Sequence, residues 1–284
     1  MRNGRRVGLI GLVALACAAS AQEAPSAATL DLNAVVRRDW AKDALWDDGQ
    51  AEVATYRGER VIFGETRHHT ARLITVLEDF TKEYYVKADW PHGQKPILPV
   101  IKQIYTATIP TPNYDFQFMT STFVDREDFG RLVKMSAVGH DWTGLTHKEF
   151  QMWGDKPRMI YNSYWDGEGS GRRDLGTDIN DYFEEELPLV LRALPFEEGL
   201  AASLWLYPNQ TTTRAPEPRP VAATIRVSAG NKSWIVDVEA RDDRSLRYEF
   251  AAEEPHVMLR VRHSDGRSLE LASVRREAYW ILAE

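Results

Sequence analysis

The stretch RLVKMSAVGHDWTGLTHKEFQMW (131–153) holds two runs of alternating side chains on either side of the turn-forming pentapeptide HDWTG. Alternation at period two marks strands with one buried face, and Asp, Thr and Gly supply the turn chemistry between them. Pairing His140 with Leu145 sets the register. Met135 then faces Phe150 and Val133 faces Met152 on an apolar side. On the other side Ser136 faces Glu149, Val138 faces His147 and Lys134 faces Gln151. A second turn in GDKP, pairing Trp153 with Arg158, brings Asn162 beside Glu149 and Tyr164 beside His147. Cross-strand neighbours sit ~4.5–5.5 Å apart at Cβ, so Ser136, His147, Glu149, Asn162 and Tyr164 are expected to form one polar patch on a meander. A slip of one residue would scatter it.

The same period extends outward from this hairpin. Strands are expected over 52–57, 68–78, 82–88, 101–108, 114–125, 131–138, 145–153 and 158–165. RLITVLEDF (72–80) is apolar on both faces from Leu73 to Leu77, which predicts a central strand buried on two sides. NYDFQFMTSTFVD moves its bulk from the face of Tyr114, Phe116 and Phe118 to that of Met119 and Phe123, predicting a bulge near Phe118. Towards the C-terminus, Trp234, Val236 and Val238 share a face, as do Leu246, Tyr248 and Phe250. Val257, Leu259 and Val261 form another apolar face opposite Met258, Arg260 and Arg262, and Asp265-Gly266 predicts a type I′ hairpin turn.

Three segments interrupt the pattern. Leu32, Val35, Val36, Trp40 and Ala44 recur at helical spacing, with Asn33 as cap and Gly49 as stop. NDYFEEELPLVLRALPF predicts a short helix over 181–193, with Pro188 kinking it or starting its second turn. YPNQTTTRAPEPRPV (207–221) carries four prolines and little to bury, so it reads as a surface loop and the best boundary in the chain. The expected fold is all-β and mainly antiparallel: a curved sheet or a partial or closed β-barrel, with an N-terminal helix and one short helix. The expected layout is a lead-in over 22–50, a first sheet half over 51–207, the Pro-rich loop over 208–220, and C-terminal strands over 221–284 on the same core.

The N-terminus places Arg2, Arg5 and Arg6 before an apolar run and Ala19-Ser20-Ala21, the layout of a secretory signal peptide over 1–21. Cys17 directly after the apolar run offers lipid anchoring as the minor alternative, so a periplasmic or secreted protein is expected. Removing 1–21 takes three Arg and no acid from 35 basic and 42 acidic side chains, so the net charge falls from −7 to −10. The mature chain then has no Cys, which excludes disulfides, thiolate nucleophiles and Cys-based zinc sites. Its acidity argues against nucleic acid or anionic lipid as a partner. No second apolar run approaches membrane-spanning length.

For chemistry, His147 as base, Glu149 as its partner and Ser136 or a water as nucleophile would make a hydrolase. Against this, His147 and Glu149 lie two apart on one strand and run alongside each other, and no GxSxG elbow accompanies Ser136. The plainer reading is the wetted face of a sheet. His68 and His69 point to opposite faces and cannot share an ion, and DGEGSGRRD lacks the twelfth-position Glu of a calcium loop, having Thr177 there. No metal and no cofactor are expected. Tyr114, Phe116 and Phe118, with Trp142, Asn162 and Tyr164, are the binding candidates: aromatics of this kind line a pocket for a lipid tail or sugar, or simply fill a core.

WDDGQAEVATYRGERVIFGE, LITVLEDF, VKADW, SAVGHDWTGLTHKEF and NSYWDGEG, in that order, resemble a family of uncharacterised secreted bacterial proteins often labelled "septum formation inhibitor Maf". Genuine Maf proteins are cytosolic α/β nucleotide pyrophosphatases, whose alternation of strands and helices is absent here. Family members often carry Trp-Cys-Gly at the hairpin turn. Here it is Trp142-Thr143-Gly144, so the resemblance implies no thiol mechanism. The half from LPLVLRALPFEEG to RREAYW is similar in layout to a periplasmic domain family of unknown function that is thought to form a curved, lipocalin- or LolA-like sheet. The resemblance implies an architecture but no activity; the wide concave sheet, its aromatics and the lack of an assembled catalytic set lead to the expectation of an exported envelope protein that binds or carries an apolar or amphipathic ligand such as a lipid without catalysis. The alternatives are the His147/Glu149 hydrolase and a structural envelope protein that binds other proteins. Oligomeric state is left open.

Overall fold

Period-two packing governs the molecule from residue 51 onward. The computed structural model describes residues 30–154, 156–176 and 181–281, so the expected signal segment over 1–21 and Thr177 lie outside the described residues. In chain order the strands are β1 (Leu30–Asp31), β2 (Ala51–Ile62), β3 (Glu65–Thr81), β4 (Ile97–Ile109), β5 (Phe116–Asp125), β6 (Leu132–His140), β7 (Leu145–Gln151) and β8 (Arg158–Asn162). Then come β9 (Ser170–Asp174), β10 (Asp181–Phe183), β11 (Ala201–Tyr207), β12 (Val221–Ala229), β13 (Ser233–Ala240), β14 (Ser245–Ala251), β15 (Met258–His263) and β16 (Ser268–Glu277). All belong to one sheet.

Its spatial order is two antiparallel meanders placed end to end, β11 to β16 and then β2 to β9. The seam between them is the β16–β2 ladder, which runs from Ser268 opposite Glu59 to Glu277 opposite Ala51. Short β1 and β10 lie parallel along the outer edge of β11. That edge does not pair with β9, so the sheet is curved but open, and the closed-barrel alternative is not realised. As its composition required, β3 is central and buried on both sides. Leu73 faces the main core, while Val76 joins Ala51 and Val53 in a small cluster on the other face.

The hollow of the sheet is filled by residues 184–193. The expected single helix is instead β10 followed by three short turns: a 3-10 turn at Glu184–Glu186, the helical turn α2 (Leu187–Val190) and a 3-10 turn at Leu191–Ala193. The physical reason is burial on all sides. Leu187, Leu189, Val190 and Leu191 are each fully buried, and no straight amphipathic helix could face the core in every direction. Pro188 sits in the first turn of α2, where its missing N–H would have no partner anyway.

The expected N-terminal helix is likewise broken into a four-residue α turn at Leu32–Val35 and 3-10 turns at Arg38–Lys42 and Ala44–Asp47. Asp31, not Asn33, caps the first by accepting from Asn33 N, and Asp43 does the same for Leu45 N. These local carboxylate bonds restart the chain and allow Trp40 and Trp46 both to reach the core.

Several local expectations are corrected by packing. Residues 82–88 are a turn, bridged only at Lys87, with Tyr85 stacked on Trp153 at 4.3 Å. The bulge expected near Phe118 lies at Phe123/Val124, where Val133 is the extra residue on β6. Val133 therefore leaves the side of Met135 and joins Phe80, Val100 and Phe123 in a cluster on the outer face. A second shift at Glu249/Phe250 makes Leu259 the extra residue, so Met258 turns inward with Val261. At the β15–β16 turn only Gly266 has positive φ and Asp265 does not, so the turn is not type I′, which needs positive φ at both positions. Residues 208–220 are not merely superficial: Gln210, Thr211 and Ala215 are buried.

Candidate functional site: a polar cavity in the hollow of the sheet

Strand pairing assembles the inner face in rows. One row reads Glu52, Thr75, Gln103, Thr122, Met135, Phe150 and Met159 across β2 to β8. The neighbouring row reads Ala54, Leu73, Tyr105, Thr120, Ala137, Lys148 and Tyr161. The first row is polar from Glu52 to Thr122 and apolar from Met135 onward, and the second interleaves Thr120 and Lys148 with apolar and aromatic side chains. Thr75, Gln103, Thr120, Thr122 and Lys148 are all buried, on the face that should be hydrophobic. Buried polar side chains need partners, so their grouping calls for a reason.

Part of the reason is a strap. Residues 209–215 cross the inner face of the sheet, and the meander bonds to them at each step. Arg60 Nη2 donates to Thr211 O at 2.8 Å, and the hydroxyls of Thr120 and Thr211 bond at 2.8 Å. Lys148 Nζ donates to Gln210 O, Thr212 Oγ1 and Arg214 O. Thr146 Oγ1 and Trp165 Nε1 both donate to Thr213 O, and Arg173 Nη1 donates to Ala215 O. From the opposite side Glu185 Oε1 accepts from Thr211 N at 2.9 Å and from Thr211 Oγ1 at 3.1 Å. Glycine makes the crossing possible: a Cβ on Gly139 would lie 2.6 Å from Thr212 O.

Between strap, sheet and the 184–188 turn lies a cavity of about 90 Å³. Gln103, Tyr105, Thr120 and Thr122 form its floor, Glu184, Glu185 and Pro188 face them, and Asn209 and Thr211 come from the strap. Tyr248, Val261, His263, Arg267 and Leu269 close the side towards the C-terminal meander, and Glu59, Arg60 and His69 stand at the β2–β3 end. That volume holds several waters or a small ligand group.

The electrostatics are strongly tuned. Burial alone would raise the Glu184 carboxyl, but Arg267, with His263, outweighs it and holds the group down to about 2. Its Oε1 lies 2.8 Å from Arg267 Nη2 and 3.3 Å from His263 Nδ1. Glu185 is pushed up, first by burial and then by the Glu184 charge. Burial lowers the Lys148 ammonium to about 8, against the pull of Glu185 and Glu168. Burial also lowers His69, whose ring covers Gly58 so closely that a Cβ there would lie 2.4 Å from Nε2. Arg60 is lowered by burial and then by the Arg267 charge, and its guanidinium lies 4.3 Å above the Phe118 ring. Among the described residues, Gln103 Oε1, Glu185 Oε2 and His69 Nε2 of the lining are buried with neither a hydrogen-bond nor an ion-pair partner, while Glu184 Oε1 and His263 Nδ1 meet only each other and Arg267 as ion pairs.

The sequence-derived patch lies elsewhere. The His140–Leu145 register holds through Ser136 opposite Glu149 and Val138 opposite His147. The next hairpin is displaced by two residues from the expected register, with Phe150 opposite Met159, so Asn162 sits beside His147 and Ile160 beside Glu149. The displacement keeps the face and buries the Phe150–Met159 pair completely. Tyr164 falls beyond the strand, and its ring covers Gly144, where a Cβ would meet it at 2.1 Å. Ser136, His147, Glu149 and Asn162 thus share the outer face, away from the cavity. Glu149 is engaged by Gln151 Nε2 at 2.6 Å and Lys134 Nζ at 3.2 Å rather than by His147.

The aromatic candidates do come together. Phe116 and Phe118 stack 6.2 Å apart and are buried, while Tyr114 lies 5.5 Å from Phe116 and 6.4 Å from Trp142. Phe63 joins them at 5.7 Å from Phe116. Trp142, 78% exposed, and Phe63, 65% exposed, form the wet end of this row at the turns. Among the described residues no group of three His, Cys, Asp or Glu could hold a metal, and no helix is long and apolar enough to cross a membrane.

Sequence reasoning missed Arg60, His69, Gln103, Lys148, Glu184, Glu185, His263 and Arg267. A signal existed for some of them. In IKQIYTATI, Gln103 and Tyr105 fall in phase with Ile101 and Ala107, and in FQFMTSTFV, Thr120 and Thr122 fall in phase with Phe116 and Phe118. Polar residues in the apolar phase of a central strand mark an inward-facing polar site.

No protein-family model matches the chain. No curated protein matches it either. Among solved structures, the chain is similar to a crystal structure of a DUF1089 family protein from Pseudomonas aeruginosa, at 12% identity and a TM-score of 0.35, over 64% of this chain and 87% of that one. A likeness that weak carries no argument.

Proposed function

We propose that this is an exported envelope protein acting as a non-catalytic binding or carrier module for a small amphipathic ligand. The observation that carries the reading is the cavity itself: a space of about 90 Å³ in the hollow of the sheet, lined by side chains of which Gln103, Glu185 and His69 each keep one buried polar atom without a hydrogen-bond partner among the described residues. A polar pocket flanked by aromatic side chains is a common form of ligand site. The arrangement also suggests polarity along the ligand. Its polar end would occupy the cavity near Arg60, and its apolar end would run past Phe118 towards Phe116, Tyr114 and Trp142.

The hydrolase alternative has less support, because Glu149 is tied to Lys134 and Gln151 and faces away from the cavity. Native mass spectrometry of the protein produced with its own signal and purified from the envelope tests the proposal. A co-purifying mass is expected. A bare protein mass under gentle ionisation, with nothing released on solvent extraction, would overturn it.

A further inference from the structure

The hydrogen-bonding inventory of the cavity wall narrows the chemistry of its occupant. Gln103 commits Nε2 to Thr75 Oγ1 at 3.1 Å and leaves Oε1 buried and free. Glu185 commits Oε1 to the strap and leaves Oε2 free. His69 has Nδ1 3.5 Å from Arg67 O, so in the neutral ring a proton on Nδ1 makes the free Nε2 an acceptor. Arg60 is a donor on this wall. Only its Nη2 is bonded within the described residues, and no carboxylate lies in ion-pair contact with it there.

Each simple ligand class meets an obstacle. An alkyl chain would leave the free acceptors unpaired, at ~1–3 kcal/mol each. A compact anion would approach the Glu184 and Glu185 carboxyls, and a compact cation would approach Arg60 and Arg267. A hydroxyl group both donates and accepts, so it can bond Gln103 Oε1 or Glu185 Oε2 while receiving from Arg60. Leu73, Tyr105 and Tyr248 supply apolar surface for the C–H face that accompanies such hydroxyls.

We propose that the cavity takes an uncharged, polyhydroxylated group, a sugar or polyol, bonded by the free acceptors of Gln103, Glu185 and His69 and by the Arg60 guanidinium. This rests on the reading of the cavity as a ligand site and specifies the polar end of that ligand.

Isothermal titration calorimetry of the mature protein tests it, using glucose, N-acetylglucosamine, glycerol, inorganic phosphate and a long-chain fatty acid as probes. At least one neutral hydroxylated probe is expected to bind. Gln103→Met should weaken that binding about tenfold, the effect of one lost buried hydrogen bond, while Lys87→Ala on the β3–β4 loop leaves it unchanged. Thermal melting checks that Gln103→Met is folded, and Arg60→Met offers an independent variant of the same wall. Binding of phosphate or fatty acid without any response to the hydroxylated probes overturns the inference but leaves the carrier reading standing. Silence from the hydroxylated probes also overturns it. If that silence is joined by a bare native mass, the carrier reading falls as well.

Discussion

Glu186 shows how one residue ties folding to pH. It is fully buried, accepts from Phe183 N through Oε2 at 2.7 Å and leaves Oε1 unpartnered. Burial, with help from Glu185 and Asp181, raises its carboxyl from 4.5 to about 8. Between those values the folded state keeps a proton that the unfolded chain has released, so stability falls as pH rises through the window. Glu186→Gln should flatten that fall, which urea midpoints of both proteins at about pH 5 and about pH 8 would show. An unchanged wild-type slope in the variant would contradict the assignment. Glu184 works in the opposite sense. Its carboxyl is held down to about 2, so its contribution is present above the ordinary carboxylate value of 4.5 and is lost as pH falls from there towards 2.

At the scale of elements, the strap over residues 209–215 is held by side chains from β2, β5, β7, β9 and the 184–186 turn. Gly139 is the tightest point beneath it, because an added Cβ would press on backbone rather than on a flexible side chain. Gly139→Ala should therefore lift the strap from β6. The expected result is faster hydrogen exchange at Thr211 and Thr212 with little change in the β2–β3 ladder; exchange that stays slow across the strap would refute this. Sequence pattern located most strands of the first meander, because alternation is local, but it placed a strand over 82–88 where the chain turns and did not anticipate β9, β10 or β11. It misplaced the bulge of β5 and missed the shifts at Glu249/Phe250 and Leu271/Ser273 and the two-residue displacement of β8; Val133 on the outer face and Met258 and the Phe150–Met159 pair on the inner show that such positions are set by what the far side of the sheet must bury. The polar patch was consequently only half assembled, with Ser136, Glu149 and His147 in register and Tyr164 out of it.

For the whole molecule, a buried ion pair links the filling segment to the sheet. Arg192 meets Glu52 through two bonds of 2.8 Å, donates to Pro255 O, and lies beneath Trp40 and Trp46. Leaving one partner of such a pair alone costs ~3–5 kcal/mol, while replacing both with apolar groups of similar size costs much less. Arg192→Met is expected to destabilise the protein by that amount, and the double variant Glu52→Leu/Arg192→Met should recover most of it. Chemical denaturation measures both, and a double variant no better than the single one would show that the pair is not an isolated unit.

Alternating side chains, with no Cys beyond residue 17, were enough, by themselves, to determine an all-β protein stabilised by burial, because a strand's two faces are written every second residue. Only the tertiary structure decided that the sheet stays open, that residues 184–193 fill its hollow as short turns, and that the Pro-rich segment crosses the inner face. The cavity belongs to this second group. Its wall combines β2 to β5, the 184–188 turn, the strap and the C-terminal meander, segments distant in sequence that meet only because β16 pairs with β2.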